Sequence, residues 1–155
     1  RGTGTMRRIH LIGLLLVLCV AGAPAYAQGS ADDQAAVWAV VEEIWAAEQS
    51  GNVDWVDDKL SADFTGWPGN SPAPRSRAST RMWARFNADQ TKGMVHELYP
   101  LSIVVHGDMA VVHYLYTMVV QTQDRSMVRT NGRYTDVLVR DDGDWKFISW
   151  HGGDD

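Results

Sequence analysis

The segment Gly132-Arg-Tyr-Thr-Asp-Val-Leu-Val-Arg-Asp-Asp-Gly-Asp-Trp-Lys-Phe-Ile-Ser-Trp-His-Gly-Gly153 constrains the fold more than any other part of the chain. Two runs of β-branched and aromatic residues flank Asp142-Gly143, a pair that tolerates the positive φ angles of a tight type I′ turn. With those two residues as the loop, Asp141 faces Asp144, and the pairing continues as Arg140–Trp145, Leu138–Phe147, Asp136–Ser149 and Tyr134–His151. Strand alternation then places these last eight residues on one face. That face is apolar near the turn and carries a carboxylate, hydroxyls and an imidazole at its far end, as the floor of a pocket would. The opposite face carries Thr135, Val137, Val139, Ile148 and Trp150, with Arg133 and Lys146 at its margins. Soluble proteins seldom leave such an apolar patch bare, so it predicts a two-fold homodimer.

A second hairpin precedes it. Gly107-Asp108 joins strands over about 97–106 and 109–120, and counting outward from that turn pairs Ser102 with His113, Leu101 with Tyr114, and Tyr99 with Tyr116. Residues 121–131 read as a polar loop. Upstream the pattern is helical. Val37, Trp38, Val41, Ile44, Trp45 and Glu48 recur at helical spacing between Asp32 and Ser50, and Gly51 follows the end. Asp54 can cap a short helix over 55–60, which leads into a strand at Asp63-Phe64-Thr65-Gly66-Trp67. Pro68, Gly69, Pro72 and Pro74 make the next stretch a loop. Ser79 or Thr80 then starts a third helix to about Ala88. The order α-α-β-α-β-β-β-β predicts an α+β domain, with N-terminal helices packed on a curved antiparallel sheet.

Met6-Arg7-Arg8, the 13 apolar residues Leu11 to Ala23, and Ala25-Tyr26-Ala27 together have the layout of a signal peptide cleaved after Ala27. Arg1 to Thr5 stand upstream of that start as an overhang. The expectation is therefore a leader over 1–27, a single domain over 28–155, a periplasmic or secreted location, and no membrane attachment once the leader is gone; an uncleaved anchor is the alternative reading. Cys19 lies in the leader, so the domain has no disulfide and must be stable through packing. Three of the 14 Lys and Arg residues (Arg1, Arg7 and Arg8) lie before residue 28, whereas all 19 Asp and Glu lie after it, so the domain carries a formal charge of −8. That balance argues against a nucleic-acid partner, which would need a basic face.

The helix with a Trp near its end, the Asp-Phe-Thr-Gly-Trp segment, and the ending Arg-Tyr-Thr-Asp-Val-Leu-Val-Arg-Asp-Asp-Gly-Asp-Trp-Lys-Phe-Ile-Ser-Trp-His resemble the nuclear transport factor 2-like superfamily. The nearest flavour is its SnoaL-like group, and the calcium/calmodulin-kinase association domain is also similar. The resemblance implies a cone-shaped, cystatin-like α+β fold, an apolar pocket between helices and curved sheet, and frequent homodimers. It also implies that position 136 faces the pocket, at a site where relatives carry charged residues. The fold houses isomerases, dehydratases, cyclases, hydrolases and binding modules alike, so it does not by itself name an activity.

Asp136, His151 and Tyr134 are the catalytic candidates, because a carboxylate between Leu138 and Tyr134 would be partly desolvated and suited to proton transfer. An alternative pairs Asp136 structurally with Ser149 or an arginine. Trp45, Asp63, Trp67, Tyr116, His113 and Ser149 are the ligand-binding candidates. A lone imidazole at His113 reads more readily as a core histidine, and Asp63 reads equally as a cap or pin for the chain entering the first strand. Arg77, Arg81 and Arg85 form a helical row that Asp89 continues, the signature of a solvated face. The histidines lack metal-ligand spacing, and no phosphate-binding or nucleophile-elbow motif occurs, so neither a metal nor a cofactor is expected. Two functions remain: an exported module that binds a small apolar or aromatic ligand, slightly favoured because one pocket carboxylate stands alone, and a cofactor-free lyase or isomerase using Asp136 as general acid/base.

Overall fold

The structure, a computed structural model, describes residues 29–155 together with Gly2. The basic start and apolar stretch expected to form a leader lie outside the described residues. Among those that are described, no helix is long and apolar enough to cross a membrane.

Helix α1 (Ala31–Ser50) begins where Ser30 Oγ accepts the Asp33 amide at 3.0 Å and returns a hydrogen bond to the Asp33 carboxylate. It ends at Gly51, whose φ of 75° lets its N–H reach the Ala47 and Glu48 carbonyls. Val37, Val41 and Ile44 form its buried stripe. A short α2 (Trp55–Lys59) follows. Asp54 does not cap it: Asp54 sits in helical φ/ψ with its side chain making no cap bond, and Asn52 Oδ1 instead accepts the Asp54 N–H. After β1 (Leu60–Pro68) and the two-residue β2 (Arg75–Ser76), α3 spans Arg77–Gln90. Its cap is Ser76, whose hydroxyl accepts the Ser79 amide, so it starts two residues before the earlier of the expected positions.

Four long strands complete the chain: β3 (Thr91–His106), β4 (Met109–Thr122), β5 (Met127–Asp141) and β6 (Asp144–Asp154). The loop expected over 121–131 shrinks to four residues between β4 and β5, turned by Arg125 at φ 68°. The six strands lie in the order β2-β1-β6-β5-β4-β3 in one curved, unclosed sheet. The sheet is mixed rather than antiparallel, because β1 runs parallel to β6. Alternation alone carries no signal for that pairing: β1 and β6 are neighbours in the sheet but lie at opposite ends of the chain's strand order, with β2 to β5 between them in sequence.

Both hairpin turns form as expected, with Asp142 at φ 53° and Gly143 at φ 93°. The registers that grow from them do not persist. On β6 the pairs Arg140–Trp145 and Leu138–Phe147 hold; then Ile148 is left without a partner, and the pairing resumes as Val137–Ser149, Asp136–Trp150 and Thr135–His151. This is a β-bulge, one extra residue that exchanges the two faces of everything beyond it. On β3 the pair Ser102–His113 holds, but Leu101 is bulged, so Pro100 meets Tyr114 and Leu98 meets Tyr116. A further bulge falls at Met94. Both bulges of that hairpin lie on the edge strand, where bending also discourages edge-to-edge pairing.

The core lies between the helices and the inner face of the sheet. α1 supplies Val37, Val41 and Ile44, α2 supplies Trp55 and Val56, and the sheet supplies Phe64, Val112, Leu138, Trp145 and Phe147. Arg140 closes one end: it lies 4.4 Å above the Trp145 ring and pairs with Asp33 of α1 at 2.8 Å.

Candidate functional site

Beyond the bulge the inner face turns polar, and the site is built there. Tyr114 and Tyr116 of β4, Tyr134 and Asp136 of β5, and Trp150 of β6 point inward beneath α1 and α3. They line a cavity of about 360 Å³, within the range of small-molecule sites. Glycines make room for the rings. A Cβ on Gly132 would stand 2.6 Å from the Tyr116 hydroxyl, and one on Gly152 would stand 2.8 Å from the Tyr134 ring, so each tyrosine lies flat across a glycine of the neighbouring strand. The three tyrosines form a layer, with Tyr114 and Tyr134 stacked at 6.1 Å and Tyr116 at 5.7 Å from Tyr134. Trp45 of α1 caps that layer 4.7 Å above Tyr116, and its Nε1 donates to the Tyr114 hydroxyl at 3.0 Å.

Asp136 is the centre of the site. It is 1% exposed, and its Oδ2 has no hydrogen-bond partner among the described residues. Burial pushes its carboxyl up to about 8, an effect that the neighbouring Tyr114 hydroxyl only partly offsets. A carboxyl in this environment is neutral at pH 7 and can donate a hydrogen bond. Glu48 lines the same cavity from α1. Water reaches it, since the residue is exposed, yet protein surrounds it on most sides and pushes its carboxyl up to about 7. Because water still solvates Glu48, Asp136 is the carboxyl that the fold itself holds protonated. Burial also raises the phenols of Tyr114, Tyr116 and Tyr134, so all three are neutral donors at physiological pH. The Tyr116 hydroxyl is already used, donating to Asp154 Oδ1 at 2.9 Å.

Two further polar residues line the cavity from the segment around β2 and α3. Arg75 stands 4.5 Å above the Trp83 ring, and its Nε donates to Ser71 Oγ at 3.3 Å. Thr80 is 6% exposed, with its hydroxyl lacking a partner among the described residues. A second cavity of about 290 Å³ adjoins the first and shares Trp45, Glu48, Trp55 and Met118 with it. Among the described residues no group of three or more His, Cys, Asp or Glu is placed to hold a metal ion.

Of the residues singled out from sequence, the structure brings together Asp136, Tyr134, Tyr116 and Trp45. It puts the others elsewhere. The bulge at Ile148 turns Ser149 and His151 to the outer face and Trp150 inward, the reverse of the arrangement counted from the turn. Trp150 packs 4.4 Å from Phe64 and 6.1 Å from Trp55, over Gly66. His151 is exposed and meets Trp67 edge-on at 6.2 Å; Trp67 is itself 46% exposed. His113 also faces outward, with Nδ1 2.9 Å from Thr135 Oγ1. Asp63 is exposed on β1. Of the arginine row, Arg77 and Arg81 both pair with Asp57.

Glu48, Arg75 and Thr80 were missed as site residues. A signal existed for Glu48, since it falls on the same stripe as Val41, Ile44 and Trp45. Arg75 carried none, sitting in a proline-rich stretch that reads as loop.

The chain has the fold of several solved structures. A ketosteroid isomerase-like protein from Erwinia carotovora is 11% identical, with a TM-score of 0.71, covering 81% of this chain and 98% of its own. A nuclear transport factor 2 (NTF2-like) superfamily protein from Salmonella enterica is 12% identical, with a TM-score of 0.69 over 81% of this chain and 93% of its own. A protein from Xanthomonas campestris of the calcium/calmodulin-dependent protein kinase II association domain type is 26% identical, with a TM-score of 0.61 over 86% and 93%. No protein of curated function matches the chain. The expected nuclear transport factor 2-like fold is thus borne out. With residues 37–153 matching the model of the SnoaL-like domain, the chain belongs to the SnoaL-like domain family.

Proposed function

We propose that the cavity binds a small, largely apolar ligand carrying one hydrogen-bond acceptor, which the protonated Asp136 carboxyl engages. The observation that carries this reading is Asp136 itself: a fully enclosed carboxyl amid aromatic rings, with one oxygen unpartnered. A buried polar atom without a partner costs about 1–3 kcal/mol, a cost that a ligand acceptor would recover. The ketosteroid isomerase-like neighbour is consistent with a pocket of this kind. The test compares ligand retention by native mass spectrometry in wild type, Asp136→Asn and Asp136→Val. Asn keeps a donor and retains the ligand, whereas Val loses it; equal retention in all three sinks the reading.

A second reading is favoured by Glu48. Two carboxyls with raised pKa in one cavity suit a cofactor-free lyase or isomerase, with Glu48 accepting a proton and Asp136 acting as general acid/base. Asp136→Asn would then keep ligand but stop solvent deuterium from entering it.

We also infer export and a homodimer. The Met6–Ala27 pattern supports the first, and N-terminal sequencing of exported protein should begin at Gln28. The outer face supports the second: Tyr99, Val104, Met109 and Leu115 are each at least 40% exposed, and Met109 pairs directly with Val139.

A further inference from the structure

Arg75 distinguishes this cavity from a purely apolar one. Among the described residues Arg75 is the one Lys or Arg that lines the cavity; nearby, Arg77 and Arg81 share Asp57, and Lys59 pairs with Glu43. Arg75 lines the cavity and makes no ion pair with any described residue. Its position is nonetheless held. β2 pairs Arg75 with Gly66 of β1, Nε is tied to Ser71 Oγ, and the guanidinium plane rests 4.5 Å from the Trp83 ring centroid. Those contacts occupy one edge and one face of the guanidinium, and the terminal nitrogens keep their donors. Thr80, also lining the cavity, offers a further donor in a buried hydroxyl that has no partner among the described residues.

We infer that the ligand is an amphiphilic monocarboxylate, its carboxylate held by Arg75 with Thr80 and its apolar body lying along the tyrosine–tryptophan layer toward Asp136. This rests on the proposed ligand-binding role of the cavity and adds the charge of what enters it. A planar carboxylate matches the two terminal guanidinium nitrogens, and such bidentate pairs are among the stronger charge-assisted contacts. A phosphate monoester fits less well. It brings a second negative charge that one arginine does not balance, while Glu48 and Asp154 line the same space. A neutral ligand would leave the guanidinium partly desolvated without an anion. Burial already disfavours its charged form, depressing the Arg75 pKa, so an entering carboxylate would relieve that cost.

The test uses three probes with one ring system: 1-naphthaleneacetate, its neutral amide, and 1-naphthyl phosphate. Affinities are measured by isothermal titration calorimetry on wild type, Arg75→Gln and Arg75→Lys. Wild type should bind the carboxylate at least about tenfold more tightly than the amide, the scale of one charge-assisted contact. Arg75→Gln should abolish that preference while leaving amide binding within about twofold, and Arg75→Lys should restore part of it, which separates lost charge from lost packing on Trp83. If acid and amide bind alike to wild type, the carboxylate inference falls while the cavity's role as a ligand site stands. If the phosphate binds as tightly as the carboxylate, the restriction to a monoanion falls. If none of the three binds, both the inference and the reading beneath it fail.

Discussion

The two halves of the C-terminal hairpin are built from similar residues and do opposite things. Near the turn, Arg140–Trp145 and Leu138–Phe147 pair as the turn dictates, and Leu138, Trp145 and Phe147 belong to the buried core. Beyond Ile148, Asp136, Tyr134 and Trp150 face inward too, but onto a cavity with an unpartnered carboxyl oxygen. One bulged residue separates packing from binding. The lesson is that a hairpin turn governs register only as far as the first bulge, and a bulge is where a sheet can stop being core and start being site.

The largest test of that division is Trp150→Ala against Ser149→Ala. Trp150 packs with Phe64, Trp55 and Phe147, so its removal should cost about 3–5 kcal/mol, whereas the outward Ser149 should cost less than about 0.5 kcal/mol. Urea unfolding reads both. Equal costs would mean that the two residues have exchanged faces.

Next in size is the pH dependence set by Asp136. Its folded pKa, about 8, exceeds the ordinary value of 3.8, so the native state binds the proton more tightly than the unfolded chain does. Stability from this group is fully present below about pH 4 and is lost as pH rises through about 8. Asp136→Asn should remove that decline, making the variant roughly 4–5 kcal/mol more stable than wild type at pH 9 relative to their difference at pH 4. A wild-type stability profile that is flat over that span, or identical in the variant, would place Asp136 in solvent.

Gly132→Ala tests the floor at finer scale. The added methyl would collide with the Gly153 carbonyl oxygen and stand 2.6 Å from the Tyr116 hydroxyl, so a cost of about 1–3 kcal/mol is expected, with the near-ultraviolet dichroism of the tyrosine layer altered. Gly107→Ala at the other hairpin turn meets nothing within 4 Å and should cost only the strain of φ 59°, about 1 kcal/mol.

Smallest in folding terms is Val139→Asp on the outer face. It should shift stability by less than about 1 kcal/mol and yet convert a dimer to a monomer by light scattering. A wild type already monomeric at roughly 50 µM, a concentration at which a moderate-affinity dimer would persist, rules the homodimer out.

The sequence made the elements legible because each has a local cause. Ser30 and Gly51 bracket α1, and Asp142-Gly143 and Gly107-Asp108 turn the hairpins. The position of Asp136 was readable for the same reason, lying an even number of residues from Leu138 on one strand. What failed was carried by the partner strand. Ile148 and Leu101 bear no bulge-favouring residue type, and only the aromatic spacing betrays the shift: Trp145 and Phe147 are two apart, while Trp150 follows after three. Parallel pairing of β1 with β6 and the inward placement of Arg75 depend on contacts between distant segments, for which periodicity has no signature.

The bulge at Ile148 also bears on how this chain tolerates change in length. Because Ile148 has no partner on β5, deleting it would leave Leu138–Phe147, Val137–Ser149 and Asp136–Trp150 as consecutive pairs, with every side chain still on its present face. Removing a paired residue from β5, such as Val137, would instead invert one side of the ladder against the other. The hairpin thus holds one expendable position at the boundary of its binding half, where a residue can be removed without rewriting which groups look into the cavity.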